Sequence, residues 1–213
     1  KVIIDGINTL NKRLKDIRKK VGIVFQYPEH QLFEETVYKD IAFGLKQLDQ
    51  NAMLINENVK NVIKIVGLDE EILEKSPFEL SGGQKRRVAI AGILVMKPSI
   101  LVLDEPAAGL DPKGRNEILG FLKKLHEETK ITVIIVSHNM EEVAKIVKRV
   151  IVMYNGRIAM DGNTGEIFND VPKLENIGLT APQITYLMKR LKKEIPDIRD
   201  DIYTVSEAKK EIL

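Results

Sequence analysis

Apolar residues fall along this chain in two rhythms. Three short apolar runs, Val21-Gly22-Ile23-Val24-Phe25, Ile100-Leu101-Val102-Leu103 and Ile131-Thr132-Val133-Ile134-Ile135-Val136, each end abruptly in polar residues and predict strands, the second and third buried on both faces of a parallel sheet. Between them the spacing is helical. From Thr36 to Gly67, Ile55, Val59, Val62 and Val66 mark one buried face. Val88 to Leu94 forms an apolar segment behind a helix start at Ser81, with Pro98 as its stop. Ile118, Leu122 and Leu125 stripe a helix that opens on Asp111-Pro112. Two hairpins frame this α/β pattern: a small one at Val2-Ile3-Ile4, Asp5-Gly6 and Ile7, and a stronger one at Val150 to Tyr154, Asn155-Gly156 and Arg157 to Met160. Beyond Gly162, residues Gly165 to Asn169 read as a helix turn. Pro182 starts a helix through Lys193 in which Leu187 and Leu191 are an i,i+4 apolar pair.

The chemistry sits where the apolar runs stop. Gln26 follows the first, leading into the irregular stretch Tyr27-Pro28-Glu29-His30-Gln31-Leu32-Phe33 with Tyr27, Leu32 and Phe33 free to be exposed. Asp104 and Glu105 follow the second, at the strand end where α/β proteins bind ligands, and adjacent carboxylates there can divide labour between a metal and a water. Ser137 and His138 follow the third. Ser81 with Gln84 three residues on reads as a capping box. Capping does not explain Gly82 and Gly83, which each lower helix propensity by about 1 kcal/mol relative to Ala. Paired glycines let a ligand backbone or phosphate approach the N–H groups of a helix start, where the macrodipole favours anions. Asp111 is satisfied as an N-cap.

Composition narrows the classes. Among 213 residues the net charge is +2, so electrostatics give no reason to expect nucleic acid. The chain has no cysteine, which excludes a disulfide framework, and its 3 histidines are too scattered for a structural zinc site. His30 and His126 are read without a functional role. No apolar run approaches the ~20 residues that span a bilayer. The basic cluster Lys189, Arg190, Lys192 and Lys193 is followed by Glu194, Asp197, Asp200 and Asp201, as expected for a solvated helix face.

Taken in order, Leu80-Ser81-Gly82-Gly83-Gln84, Ile100-Leu101-Val102-Leu103-Asp104-Glu105-Pro106 and Gly109-Leu110-Asp111-Pro112 resemble the signature, Walker B and D-loop of ATP-binding-cassette ATPases. The resemblance implies a P-loop NTPase, RecA-like core with a helical subdomain, acting on ATP with Mg²⁺. It implies that Asp104 holds Mg²⁺ through water, that Glu105 polarises the attacking water, that Gln26 is the Q-loop glutamine touching metal and water, and that His138 is the switch histidine at the γ-phosphate. Ser81, Gly82, Gly83, Gln84 and Asp111 are then nucleotide-binding positions, Ser81 and Gly83 serving the nucleotide of a second protomer. Ala107 departs from the Thr or Ser common there, with little effect expected.

The string Gln-Tyr-Pro-Glu-His-Gln-Leu-Phe-Glu-Glu-Thr-Val from Gln26, and Leu179-x-x-Pro182-x-x-x-x-Leu187 near the end, are similar to the ATPases of energy-coupling-factor importers of vitamins and transition-metal ions. That implies a head-to-tail homo- or heterodimer on the cytoplasmic face of the membrane, a membrane coupling subunit contacted through residues 26–33, and no nucleic acid. Residues 1–33 are then a partial ATPase core with the Q-loop and 34–97 a helical subdomain ending in the signature helix. Residues 98–162 return to the core with Walker B, D-loop and switch histidine, and 163–213 form a C-terminal dimerisation extension. No Gly-x-x-x-x-Gly-Lys-Ser/Thr phosphate loop occurs in the chain, so the reading is of an N-terminally truncated cassette, inactive alone, with true loss of nucleotide binding the lesser alternative. Competing readings are a soluble cassette that remodels DNA or ribosomes, which would want a long coiled coil or a tandem cassette, and a non-catalytic dimerisation module.

Overall fold

The computed structural model describes residues 2–4, 6–10, 17, 19–47 and 51–213, and its contacts divide the chain into two units, Lys1–Val136 and Ser137–Leu213. Asp5 of the first turn and most of the basic segment from Lys12 to Lys20 lie outside the described residues.

In the first unit, β1 (Ile3–Ile4) and β2 (Ile7–Asn8) pair antiparallel around Gly6, whose φ of 77° suits a residue without Cβ. The central feature is a parallel sheet of β3 (Val21–Val24), β4 (Ile100–Asp104) and β5 (Thr132–Val136), in the order β3-β4-β5. Its register pairs Val24 with Leu103 and Asp104 with Val136, so the polar residues after β3 and β4 emerge side by side. Leu101 and Leu103 are fully buried on one face. Gly22 lies on that face too, and a Cβ there would come within 2.3 Å of Ile93, which explains how closely the signature helix packs on the sheet.

The expectation that the third run is buried on both faces fails. Thr132, Ile134 and Val136 are exposed. β5 is an edge strand of this sheet, and no element of the first unit, among the described residues, covers the face that carries Ile23 and Ile134, each 47% exposed. β4 is only half as expected, since Ile100 and Val102 are intermediate.

The helical reading from Thr36 to Gly67 resolves into α1 (Val37–Lys46), capped by Thr36, and α2 (Ala52–Ile65), capped by Asn51. Ile55, Val59, Val62 and Val66 are all buried, as the periodicity predicts. They pack with Val37, Ile41, Ala42 and Leu45 of α1 toward α3 (Gly82–Leu94). α4 (Pro112–Thr129) buries Ile118, Leu119, Leu122 and Leu125. His126 is structural, its Nδ1 lying 2.8 Å from the Ile131 carbonyl oxygen.

The second unit begins with α5 (Met140–Ile146) and the hairpin of β6 (Arg149–Tyr154) and β7 (Arg157–Asn163). Asn155 and Gly156 have φ of 48° and 73°, the paired left-handed residues of a type I′ turn. α6 (Thr164–Asn169) and α7 (Val171–Asn176) share the hairpin's core, where Phe168 and Leu174 pack with Val152 and Met160. α8 (Gln183–Glu194) and α9 (Val205–Ile212) enclose a second cluster of Met188, Ile198, Ile202 and Ala208. Leu187 and Leu191 do not act as one stripe. Leu191 packs against that second cluster, whereas Leu187 is 46% exposed, because the buried line of α8 runs through Ile184, Met188 and Leu191.

Candidate active site

Two parallel strands deliver the first group of candidates to one edge of the sheet. Gln26 follows the Val24–Leu103 pair by two residues, level with Glu105 beyond β4. Asp104 ends β4 in register with Val136, and the Glu105 amide donates to the Val136 carbonyl at 2.9 Å. Glu105 then turns sharply, with φ of 46°. For a residue with a Cβ this left-handed conformation costs of order 1–3 kcal/mol and persists only where the surroundings enforce it. A turn follows, closed by the Ala108 amide donating to the Glu105 carbonyl at 3.0 Å, and Gly109 at φ 74° takes the chain onward. Asp111 caps α4 by accepting from the Gly114 amide at 2.7 Å.

The stretch after Gln26 is more ordered than its composition suggests. Tyr27, at φ 55°, leads into a 3-10 turn over Pro28–Gln31, and Tyr27 stacks on His30 with centroids 5.7 Å apart. A Cβ on Gly109 would lie 3.2 Å from the Tyr27 ring, so the segments after β3 and β4 touch. Leu32, expected to be exposable, is buried at 9%. Its backbone is extended and turns the side chain inward, while the Asp40 carboxylate accepts from the amides of Phe33 and Glu34 at 3.2 and 3.3 Å. Phe33 remains 61% exposed, edge-on to Phe43.

At the start of α3 the capping box forms as read. Ser81 Oγ accepts from the Gln84 amide at 3.3 Å, and Gln84 Oε1 accepts from the Ser81 amide at 3.0 Å. Gly82 and Gly83 are exposed, and a Cβ on either would meet nothing within 4 Å. Internal packing therefore does not demand these glycines. They sit in the first turn, at the positive end of a helix of 13 residues, which suits an anionic ligand coming from outside. A narrow crevice lined by Gly83, Arg86, Leu110 and Gly114 joins this helix start to the segment after β4.

Arg86 escaped the sequence reading. It is buried at the centre of these elements, paired with Glu29 and with the carbonyls of Pro106 and Ala108. A basic residue before an apolar run carries no sign of burial, and its partner Glu29 lies 57 residues away in the chain.

His138 belongs to the second unit. It is exposed, between Ser137, whose Oγ accepts from the Asn139 amide at 3.1 Å, and Asn139, which caps α5. The structure thus gathers Gln26, Asp104, Glu105, the signature residues and Asp111 in one unit and carries His138 in the other. Among the described residues no group of three or more His, Asp or Glu side chains is arranged to hold a metal.

Residues 1–108 match the ABC transporter family. The energy-coupling factor transporter ATP-binding protein EcfA2 of Acetivibrio thermocellus is 63% identical over 211 residues, which are 99% of this chain and 75% of that protein. Among solved structures, cbiO1 of Clostridium perfringens, part of the ABC transporter complex cbiONQ, matches with a TM-score of 0.73 and 40% identity, over 88% of this chain and 75% of that one. The ATP-binding cassette MJ0796, solved as a dimer in a post-hydrolysis state with ADP and Pi, matches with a TM-score of 0.63 and 30% identity over 76% of this chain and 72% of that one. The chain belongs to the ABC transporter family, and relatives more than 50% identical to it are energy-coupling factor transporter ATP-binding proteins. No helix among the described residues is long and apolar enough to cross a membrane.

Proposed function

We propose that this chain is the nucleotide-hydrolysing part of an energy-coupling-factor importer, converting ATP hydrolysis into movement of a membrane-embedded partner. The observation that carries the reading is the placement of Gln26, Asp104 and Glu105 at one sheet edge, at the ends of two adjacent parallel strands and level in their register. Phosphoryl transfer to water requires charge neutralisation and an oriented nucleophile, with little covalent chemistry from the protein.

In this reading Asp104, with Gln26, would hold Mg²⁺. The donor set fits, because Mg²⁺ keeps several waters and takes one or two carboxylates plus phosphate oxygens, so no three-ligand protein cluster is needed. When bound, the metal neutralises charge on the phosphates. Glu105 accepts a hydrogen bond from the attacking water and orients it, and the carboxylate's unusual backbone conformation fixes its direction. His138 contacts the γ-phosphate. Ser81, Gly82, Gly83 and Gln84, with Asp111, serve the nucleotide of a second protomer, Ser81 and Gln84 holding the helix start through their capping box and leaving the two glycines open to it. A site shared between two chains calls for a head-to-tail dimer that closes on ATP and opens after hydrolysis.

Residues 26–33, with Tyr27 and Phe33 exposed, are the segment we assign to the membrane coupling subunit, and the same reading has the protein as a peripheral subunit at the cytoplasmic face of the membrane. We keep residues 34–97 as the helical subdomain between core segments 1–33 and 98–162, and 163–213 as the extension used in dimerisation. The test is reconstitution of the full-length protein with its ATPase and membrane partners in vesicles. ATP-dependent accumulation of a vitamin or transition-metal ion supports the reading, and ATP turnover that is indifferent to the membrane subunit contradicts it.

A further inference from the structure

A guanidinium presents five N–H donors in a planar fork and keeps its charge, so a buried arginine must have its donors matched and its charge balanced. Arg86 is 1% exposed. Its Nε and Nη2 donate to the two carboxylate oxygens of Glu29, at 3.2 and 2.9 Å, as a bidentate pair. Its Nη1 donates at once to the carbonyls of Pro106 and Ala108, at 2.9 and 3.0 Å. One side chain therefore joins three segments with separate duties: the 3-10 turn after Gln26, the helix that starts at Ser81, and the turn that starts at Glu105.

The turn is the segment in need of support. Glu105 is a non-glycine residue with φ of 46°, held on one side by the hydrogen bond its amide donates to the Val136 carbonyl and closed by the one the Ala108 amide donates to its own carbonyl. Conformations of this kind persist only where neighbours over-determine them. The two further carbonyls of the turn are fixed by the Arg86 fork, and the fork is in turn fixed by Glu29.

We propose that Arg86 is a positioning residue for ATP hydrolysis, a strut that holds the Glu105 turn at a fixed place relative to the Gln26 segment and ties both to the helix bearing Ser81. The proposal rests on the functional reading above and adds a specific mechanical link to it. A displacement of the 26–31 segment by a membrane partner pulls through Glu29 and Arg86 on the carbonyls that set the direction of the Glu105 side chain. Lysine cannot replace it, since a compact ammonium on a flexible stem lacks the fork that serves a carboxylate and two carbonyls together.

The test uses the full-length protein in its assembled transport complex, carrying Arg86→Lys, Arg86→Met or Glu29→Gln. For Arg86→Lys we expect kcat for ATP to fall about tenfold or more while nucleotide affinity changes by less than about threefold, as for loss of an interaction felt only in the transition state. Hydrogen exchange without nucleotide should accelerate selectively at the amides of Ala108 and Leu110, and at His30. Combining Glu29→Gln with Arg86→Lys should lower kcat by less than the product of the two single effects, because both act on one strut. If Arg86→Met does not fold, Glu29→Gln decides, since it keeps the side-chain shape and removes only the charge of the pair. Unchanged kcat in Arg86→Lys, or exchange that rises uniformly over residues 19–136, would overturn the proposal in favour of a packing role. A wild-type complex that does not turn over ATP would defeat the functional reading instead, and the exchange arm would still judge the strut.

Discussion

At the residue scale, some side chains take the local role that their sequence neighbours suggest and others do not. Asp111 illustrates the plain case, an N-cap whose carboxylate takes the Gly114 amide at 2.7 Å. Asp111→Ala should lower thermal stability by about 1 kcal/mol through the lost cap, and a stability change near zero would show that the bond contributes nothing. Asp40 gives a pH-dependent case. Burial pushes its carboxyl above the ordinary 3.8, while the amides of Phe33 and Glu34 that donate to it pull the other way. A raised folded-state value means that the stability linked to this group is full below 3.8 and is lost as pH rises through the raised value. In urea titrations across acidic pH, the stability of wild type minus that of Asp40→Asn should therefore shrink as pH rises, and a difference that grows would reverse the assignment. Gln26, Asp104, Glu105 and the Ser81 box were legible because each stands beside a strong local signal, a strand end or a helix start. Arg86 and Glu29 were not, since the burial of one depends on segments distant in the chain, and nothing in Gln-Lys-Arg-Arg-Val distinguishes Arg86 from the basic residues beside it, Lys85 and Arg87, which are less buried.

At the scale of elements, close packing of the C-terminal end of α3 on β3 fixes that helix against the sheet. A methyl group on Gly22 would meet Ile93 at 2.3 Å and Pro98 at 3.2 Å. Gly22→Ala should cost about 1–3 kcal/mol, measured by chemical denaturation, and a neutral result would mean that Ile93 swings aside freely. The segment after Gln26 separates packing from contact surface. Leu32→Asp buries a charge and should unfold the unit or cost about 3 kcal/mol or more. Phe33→Asp removes an exposed ring and an edge-on contact with Phe43, a loss of at most about 1.5 kcal/mol, yet should weaken capture of the membrane subunit. Equal capture by Phe33→Asp and wild type would assign that ring to local packing alone. The helical stripe from Ile55 to Val66 and the Asn155-Gly156 hairpin were readable because their periods and turn chemistry are local. The exposure of β5 was not, because an apolar run states only that a strand can be buried, and whether a layer covers it is decided elsewhere in the fold.

At the scale of the molecule, the two units are distinct bodies of contact, with Glu105 in one and His138 in the other. Removing everything after Gly162 would strip Ile167, Phe168, Val171 and Leu174 from the core they share with Val152 and Met160, so a surface change is the cleaner probe of the proposed dimer contact. Leu187→Glu, at an exposed site on α8, should leave the melting temperature nearly unchanged and reduce nucleotide-free dimerisation in light scattering. Full dimerisation of that variant would remove α8 from the interface. The central claim, that the paired carboxylates at the end of β4 run ATP hydrolysis, is tested most directly by ATP turnover of the full-length protein carrying Glu105→Gln, alongside its nucleotide occupancy. The substitution keeps shape and hydrogen-bonding reach and removes only the carboxylate. The account predicts that ATP is bound and retained while turnover falls by at least about 100-fold. Turnover within a few-fold of wild type would contradict it.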